Sequence, residues 1–408
     1  MFCGQKNGVT TREQHRGKGR VLCGIAMALL LLGVMSFPGC RGLQPANNGG
    51  GGTGATTASP VKHLVVIVMQ NHSFDNLFGT FPGANGFTPS SPGYSQADAS
   101  GNLVTPHLLT NTNPADLNHG WTTYHNEWNN GAMDGFAKTD GADAMGYYDN
   151  TTPGFAPLYD WASRFALADN YFDPVMRDAP ADVLYMIAAD DNGQPQSIKP
   201  AFGPCTATSG TAQPYTFTNV GDQLTDKNVP WGWFQEQYGN CGNYVPQENP
   251  FQFFTSTQNS THISDLDLFR QELASGNLRP VSFVQPAPGH TMHPGSGDQA
   301  VAVQWLDQFL QTLQNSSSWP DMAVIVIWDE PGGWYDHVPP QQIDSQGRGF
   351  RVPMIVISPF AKTGYISHVA IDHVSIVRFI QWNWGLANLN SRNQQGGSTV
   401  ELRDMFNF

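Results

Sequence analysis

The sequence predicts an α/β fold in which helices flank a mostly parallel central sheet. Short apolar runs rich in β-branched residues alternate with stretches of helical period, as they do in parallel α/β sheets. Several of these runs end directly in polar residues, and buried strands deliver ligands to the carboxyl edge of a sheet in this way. The chain has 408 residues, of which 43 are glycine, 29 are proline and 13% are charged. That composition suits one large domain with long, structured loops.

The individual elements follow from these patterns. Buried strands are predicted at residues 63–69, 281–284, 325–328 and 350–359, and helices at about 181–189, 298–314 and 373–384. Residues 158–172 predict a helix that passes into a short strand. Residues 80–150 have little periodicity and many Gly, Asn, Pro and Thr residues, which predicts an ordered loop region around a site.

The beginning of the chain predicts export. Basic residues precede an apolar run from Val21 to Val34, and Gly39 precedes Cys40. This pattern is typical of a secretory signal peptide at residues 1–39, and its end resembles the site at which lipoproteins are cleaved and lipidated. Ordinary cleavage and an uncleaved anchor are the alternatives. We expect an exported protein, periplasmic or at the cell surface, that a lipid on Cys40 anchors to the membrane.

The remainder divides into a linker and one domain. Residues 40–60 include a run of glycines and predict a flexible linker, which precedes a domain at residues 61–408. Residues 190–275 give few strong signals and predict an inserted cap beside the main sheet. This segment contains Cys205 and Cys241, which are expected to form a disulfide in an exported chain.

The charge balance argues against one class of partner. Removal of residues 1–39 takes away five basic residues and one acidic residue, which leaves 15 basic and 32 acidic residues and a formal charge of −17. So acidic a chain is not expected to bind nucleic acid through its phosphates. An anionic substrate would need a local positive centre, and a metal ion supplies one.

The most informative stretch is residues 325–338. An apolar run ends there in the adjacent carboxylates of Asp329 and Glu330, followed by Gly332 and Gly333. Two neighbouring carboxylates repel each other, so a site that keeps both ionised needs a cation. A pair of capping or turn residues at the surface is the alternative. The two glycines favour the metal site because they let the backbone approach a ligand closely.

Polar residues also follow the strand at 63–69. Gln70 and Asn71 stand at its end, where they and Asp329 are expected to converge although they lie far apart in the sequence. His119 is a further candidate because Asp116 and Trp121 flank it. Asp178 lies just before a predicted helix, where helix capping explains it as well as chemistry does.

These motifs resemble those of the phosphoesterase family that contains bacterial phospholipases C and acid phosphatases. The resemblance covers residues 64–79, 281–296, 323–340 and 349–385 in the same order. The family's late motif usually reads Asp-Glu-x-x-Gly-x-x-Asp-His-Val. It is matched here by Asp329, Glu330, Gly333, Asp336, His337 and Val338. The resemblance implies an alkaline-phosphatase-like fold and a hydrolase of phosphomonoesters, or of phosphodiesters such as phospholipid head groups.

The resemblance also assigns residue roles. The implied metal ligands are Gln70, Asn71, Asp329 and Glu330. The implied phosphate-binding or acid/base residues are His119, His293 and His337. The cofactor is a divalent ion, with oxygen ligands suiting Ca, Mg or Mn and the histidines leaving Zn open. It would neutralise charge on the phosphoryl oxygens and lower the pKa of the nucleophile.

Two positions depart from the family pattern. Gln70 stands where the family has a metal-binding Glu, and Asp178 occupies the position of the Ser or Thr nucleophile. The changes compensate in charge, so Asp178 is a candidate metal ligand beside which metal-bound water attacks the ester directly. Alternatively, Asp178 is itself the nucleophile and forms an acyl phosphate. We prefer the first hypothesis.

Three functions follow from these observations. The leading one is an exported, metal-dependent phosphoesterase. The second is a catalytically altered family member that binds a phosphate ligand or a surface, which the missing Ser/Thr favours. The third, a structural lipoprotein without a metal, leaves the Asp329–Glu330 pair unexplained.

Overall fold

The computed structural model describes residues 56–177, 179–193, 200, 202–205, 214–394 and 402–408. The predicted signal peptide, Cys40, most of the predicted linker and Asp178 lie outside the described residues. No helix among the described residues combines the length and the apolar character that a membrane crossing requires.

Fourteen strands occur in the described part of the chain. They are β1 His63–Met69, β2 Gln96–Ala97, β3 Leu103–Val104, β4 His107–Leu108, β5 Gly146–Tyr147, β6 Ala166–Ala168, β7 Tyr171–Phe172, β8 Trp231–Gln235, β9 Ile263–Asp265, β10 Val281–Gln285, β11 Met322–Trp328, β12 Met354–Ile357, β13 Tyr365–Ser367 and β14 Ile371–Asp372.

Nine α-helices accompany these strands in the same described residues. They are α1 Phe74–Phe78, α2 Trp121–Trp128, α3 Phe136–Asp140, α4 Ala156–Arg164, α5 Ala179–Ala188, α6 Val220–Asp226, α7 Leu266–Ala274, α8 Gln299–Gln314 and α9 Val374–Trp384.

Eight strands form the central sheet in the order β13-β6-β12-β11-β1-β10-β8-β9. Five of its strand pairs are parallel, and β12 is antiparallel to both of its neighbours, β11 and β6. All seven residues of β11 are buried, as are six of the seven in β1. Strands covered on both faces read as continuous apolar runs, so these two were visible in the sequence. The predicted mostly parallel α/β sheet is confirmed.

The best-predicted helices carry their own start and stop signals. Helix α8 begins after Asp298, whose side chain accepts a hydrogen bond from the Ala300 N–H at 2.9 Å. Helix α9 ends at Gly385, which has a φ of 65° and closes the helix in the left-handed region. Both helices lie within one residue of their predicted bounds.

The predicted strand at residues 350–359 is shorter in the structure. Only Met354–Ile357 pairs in the sheet, because Pro353 and Pro359 bracket it and lack the N–H that a ladder requires. The region expected to be an ordered loop, residues 80–150, contains helices α2 and α3 and only two-residue strands.

The segment at about 190–275 differs from the prediction of a cap beside the sheet. Strands β8 and β9 both lie within it, and both belong to the central sheet, where β8 pairs with β10 in parallel. The prediction is therefore wrong for these strands. Strand β8 reads Trp-Gly-Trp-Phe-Gln, which lacks the β-branched residues that identified the other buried strands.

The disulfide expected within this segment is present. Cys205 and Cys241 are bonded, with Cα atoms 5.1 Å apart and a sequence separation of 36. Disulfides of this kind persist in oxidising compartments.

Candidate functional site

The carboxyl ends of β1 and β11 bring the first candidate residues together. The two strands pair in parallel, with Met69 opposite Trp328, so the residues that follow them emerge side by side. Asn71 has a φ of 59°, and its backbone N–H donates to Oδ1 of Asp329 at 3.0 Å. The expected convergence of Asn71 and Asp329 is thus seen in the structure.

A glycine turn makes this close approach possible. Gly332 has a φ of 62°, and a Cβ at this position would lie 2.6 Å from both Cβ and O of Asn71. Any other residue would push the turn away from the end of β1. Gly332 therefore lets this turn pack against the end of β1, while the close approach of the glycine pair to a ligand stays a prediction.

Asp329 and Glu330 form a buried acidic pair. Each is only 1% exposed. Burial raises the pKa of Asp329 to about 7, and the neighbouring charge of Glu330 adds to this effect, while the N–H groups of Asn71 and Glu330 oppose it. Glu330 accepts hydrogen bonds from the Tyr124 hydroxyl at 2.5 Å and from the Ala179 N–H at 3.0 Å. The protein thus holds two buried carboxylates side by side, and burial disfavours the ionised form of Asp329.

Two further buried polar groups lie near this pair without partners among the described residues. Neither Oδ1 nor Nδ2 of the Asn71 side chain has a hydrogen bond, and neither do the two carboxylate oxygens of Asp173. Burial raises the pKa of Asp173 well above its ordinary value, and the charges of Glu330 and Asp329 raise it further. Gly349 makes room for this side chain, since a Cβ there would lie 1.6 Å from Asp173 Oδ1.

The unpartnered oxygen atoms of Asn71 and Asp173 fit a divalent cation. Buried polar atoms are rarely left without a partner, and oxygen donors grouped around an acidic pair are what Ca, Mg or Mn require. No lysine or arginine of the described chain forms a salt bridge with Asp329. The donor set is thus short of positive charge, and a cation would supply it.

His119 and His293 stand beside the acidic pair. Their ring centroids are 6.1 Å apart, and Nε2 of His119 lies 4.0 Å from Oε1 of Glu330. Burial opposes protonation of His119, but the charges of Glu330 and Asp116 outweigh it and raise the pKa of His119. One ligand atom each from Asp116, His119 and His293 lies within 4.8 Å of the others. The structure therefore brings these two predicted histidines to the site.

His337 contacts a different set of side chains. Its Nδ1 lies 2.6 Å from Oδ2 of Asp75, and Arg351 donates to Oδ1 of Asp75 at 2.8 Å and to Oδ1 of Asp336 at 2.9 Å. All four residues are buried, Arg351 completely. This ion-pair network accounts for His337 and Asp336 as structural residues, and an acid/base role for His337 stays a prediction.

Gln70 binds a carboxylate that the sequence did not indicate. Its Nε2 donates to Oε1 of Glu248 at 2.7 Å, and Glu248 is 7% exposed. Burial raises the pKa of Glu248 to about 8. The hydrogen bond from Gln70 lowers it, and the charge of Asp329 raises it. The buried carboxylate of Glu248 is therefore hydrogen-bonded to Gln70, the position at which the family pattern has a metal-binding Glu.

Asp178 lies outside the described residues, but both of its neighbours are described. Arg177 pairs with Asp191, and the Ala179 N–H binds Glu330 at the beginning of α5. Ala179 thus lies beside the acidic pair. Its three proposed roles stay predictions.

A groove adjoins this chain segment. It has a volume of about 240 Å³, and its lining includes Trp121 and Trp128 of α2 together with Met176 and Arg177. The same helix carries Tyr124, which binds Glu330. The groove therefore shares α2, and the segment that leads to Ala179, with two groups that bind Glu330.

Tyr124, Asp173 and Glu248 were not among the predicted site residues. Tyr124 and Glu248 reach the site only through tertiary contacts, from α2 and from the 3₁₀ turn Pro246–Glu248. Asp173 had one sequence signal, because it directly follows the apolar strand β7.

Comparisons with known proteins agree with this architecture. A family model described as the Phosphoesterase family matches residues 61–387, which include every strand of the central sheet. The chain is 24% identical over 403 residues to the non-hemolytic phospholipase C of Pseudomonas aeruginosa, covering 85% of this chain and 57% of that protein. It is 26% identical over 411 residues to phospholipase C A of Mycobacterium tuberculosis, covering 85% of this chain and 77% of that protein.

One solved structure illustrates the structural likeness. It is a protein in the alkaline phosphatase superfamily from Vibrio parahaemolyticus, with a TM-score of 0.40, 10% identity, and 80% of this chain and 68% of that chain covered.

Proposed function

The chain belongs to the phosphoesterase family, and we propose that it is an exported, metal-dependent hydrolase of phosphomonoesters or of phosphodiesters such as phospholipid head groups. The observation that carries the proposal is the juxtaposition of Asn71 and Asp329 at two adjacent strand ends, both 1% exposed, with the Asn71 amide atoms unpartnered. The similarity to phospholipases C supports a hydrolase acting on phosphoester bonds.

The residues that would hold the cation are Asn71, Asp329 and Glu330, with Gln70 as a neutral oxygen donor. Their oxygens suit Ca, Mg or Mn, while His119 and His293 leave Zn open. When bound, a divalent ion would neutralise charge on the phosphoryl oxygens and lower the pKa of the attacking group. The electrostatic cost of keeping two buried carboxylates ionised explains why this chain would bind a cation strongly.

His119 is the residue best placed to act as a general acid or base. Its Nδ1 is 2.8 Å from the Leu117 carbonyl oxygen, which fixes the ring and leaves Nε2 facing Glu330. The raised pKa of His119 favours the protonated form, which binds a phosphoryl oxygen or protonates a leaving group. His293 faces the same space and adds a second donor.

The groove beside α2 supports one class of substrate. The groove has apolar contacts at Trp121, Trp128 and Met176 beside polar ones such as Arg177 and Gln342, and Trp121 is 47% exposed. A phosphodiester with an apolar portion, such as the acyl chains of a phospholipid, would find contacts for that portion at these side chains. This supports the phosphodiester arm of the proposal over the phosphomonoester arm.

Export is supported by two independent features. The disulfide between Cys205 and Cys241 is typical of oxidising compartments, and the sequence predicts a signal peptide at residues 1–39. We further propose that a lipid on Cys40 tethers the domain to a membrane, which would hold a phospholipid substrate close to the site.

The test is turnover with and without chelator. Purified protein is expected to hydrolyse a chromogenic phosphodiester faster than the matching phosphomonoester, and chelation should reduce both rates to background. Turnover that a chelator leaves unchanged would contradict metal dependence. Absence of turnover with Ca, Mg, Mn and Zn, in folded protein, would instead favour the alternative function.

That alternative is a family member that binds a phosphate ligand without hydrolysing it. It is favoured by one observation, the presence of Asp178 where the family pattern has Ser or Thr. In that case the protein would retain cation and phosphate binding while lacking turnover.

The role of Asp178 has its own test. We expect water to attack the ester directly, so protein quenched with acid during turnover should carry no phosphate on the peptide that contains Asp178. Peptide mass spectrometry measures this, with an Asp178→Asn variant as the control. A phosphorylated Asp178 peptide that disappears in the variant would establish a covalent acyl phosphate and overturn direct hydrolysis.

A further inference from the structure

Three glutamines converge on one buried carboxylate at the edge of the sheet. They stand at the carboxyl ends of the adjacent parallel strands β1, β10 and β8, and their Nε2 atoms face Glu248. The distances are 2.7 Å from Gln70 to Oε1, 3.2 Å from Gln285 to Oε2 and 3.5 Å from Gln235 to Oε2. Both oxygens of Glu248 thus accept hydrogen bonds from side-chain amides.

This arrangement buries a carboxyl group where no positive side chain stabilises its ionised form. In the described chain no lysine, arginine or histidine forms a salt bridge with Glu248. Amide donors satisfy its hydrogen bonds but do not cancel its charge, and a buried carboxylate without a counter-charge is costly. Glu248 also lies close enough to Asp329 for their charges to interact. A cation near Asp329 would therefore stabilise Glu248 as well.

The hydrogen bond to Glu248 fixes which way the Gln70 amide faces. An amide has its donor and its acceptor on one carbon, so donation from Nε2 to Glu248 directs Oε1 away from that carboxylate. Oε1 of Gln70 makes no hydrogen bond with any described residue. The backbone of Gln70 is fixed too, since its N–H donates to the Thr291 carbonyl oxygen at 2.8 Å. The Gln70 side chain is thus fixed with its Oε1 free of hydrogen bonds to the described residues, one position before Asn71 in the sequence.

We propose that Glu248 is a positioning residue that orients Gln70 as a neutral oxygen ligand of the divalent cation and supplies, one hydrogen bond behind it, the negative charge that a carboxylate at position 70 would supply directly. The inference rests on the proposed function, because it presupposes the cation. Carboxylates that accept a hydrogen bond from a metal ligand fix the ligand's orientation and make it a stronger donor. The Gln70–Glu248 pair then supplies the same ligand oxygen and the same negative charge as a metal-binding Glu at position 70 that is hydrogen-bonded to a Gln at position 248.

The test is a charge-exchange cycle read out as cation affinity. Equilibrium dialysis of the full chain against Mn²⁺ gives the Kd of wild type, Glu248→Gln, Gln70→Glu and the double variant Gln70→Glu/Glu248→Gln. The single Glu248→Gln change should weaken Mn²⁺ binding about 10-fold to 100-fold. The double variant restores one carboxylate and one amide across the same hydrogen bond, and should recover at least about tenfold of that loss.

Glu236→Gln is the matched control. Glu236 is a partly buried carboxylate that follows strand β8, but it pairs with Arg270 and His290 rather than with Gln70. Removing its charge should leave the Mn²⁺ Kd nearly unchanged. The thermal unfolding midpoint in chelator identifies any variant that has lost its fold, and the double variant keeps the test decisive if Glu248→Gln unfolds.

The possible outcomes distinguish failure of the proposed Glu248 role from failure of the proposed metal dependence. Wild-type protein that binds Mn²⁺ with an affinity that Glu248→Gln leaves unaltered, or that Glu236→Gln lowers equally, would overturn the role of Glu248 alone. A double variant that binds Mn²⁺ no more tightly than the weaker-binding single variant would also overturn the role of Glu248. Wild-type protein that binds none of Mn²⁺, Mg²⁺, Ca²⁺ and Zn²⁺ would overturn the proposed metal dependence, and this inference with it.

Discussion

Replacement of Asp329 by asparagine should lower kcat/KM for phosphoester hydrolysis by about 10²-fold to 10³-fold or more, the effect of removing a principal electrostatic element from an active site. Asparagine preserves the volume of the side chain and keeps an oxygen that accepts from the Asn71 and Glu330 N–H groups. The change therefore removes charge while the strand ends stay in place. The measurement is turnover of a chromogenic phosphodiester in the presence of divalent cation.

The same variant should not destabilise the cation-free protein. The pKa of Asp329 is raised by burial to about 7, so in the fold the carboxyl group retains its proton up to a higher pH than it does in the unfolded chain. Folding stability without cation therefore falls as pH rises from about 4 to 7, and Asp329→Asn should flatten that fall. A variant that unfolds more easily in chelator at pH 7, or one that retains more than about a tenth of wild-type kcat/KM, would contradict the assignment.

Replacement of Arg351 by methionine should lower the free energy of unfolding by about 3–5 kcal/mol, the cost of breaking a buried ion pair on one side. Arg351 is fully buried and bonds to both oxygens of Asp336, to Asp75 and to the carbonyl oxygens of Asn85 and Asp169. Methionine would leave the buried carboxylates of Asp75 and Asp336 without the guanidinium group that neutralises them. Urea denaturation monitored by tryptophan fluorescence measures the loss.

Arg270→Met provides the comparison for this second variant. Arg270 is 43% exposed and pairs with Asp267 and Glu236 at the surface, where an ion pair contributes about 0–1 kcal/mol. Equal effects of the two substitutions would show that the Arg351 network does not hold the loops after β1 and β11 together. A loss of stability confined to Arg351→Met would support a structural role for Asp75, Asp336 and His337.

How far sequence reasoning succeeded depended on how local each signal was. Strand β1 was predicted at its observed bounds because six of its seven residues are apolar and four of those are β-branched, a run that favours a buried strand. Helix α8 was predicted from its apolar stripe, and the structure adds Asp298 as its cap. Family membership was predicted from the motif around Asp329, and it is confirmed.

The features that sequence reasoning missed have one physical cause in common, because tertiary contacts determine them. Strand β8 joins the sheet because β10 offers it an edge, although its own residues give a weak strand signal. Glu248 becomes notable only once three strand ends surround it. His337 follows a family motif, but nothing in its neighbourhood along the chain indicates that Arg351 and Asp75 enclose it.

The most direct test of a metal-dependent centre at the ends of β1 and β11 is the number of divalent cations bound per chain. It is measured by elemental analysis of purified protein after exhaustive dialysis, in parallel with Asp329→Asn. We predict one tightly bound cation per chain in wild type and none in the variant. Wild-type protein that hydrolyses phosphoesters while holding no cation, or an Asp329→Asn variant that holds as much as wild type, would contradict the account.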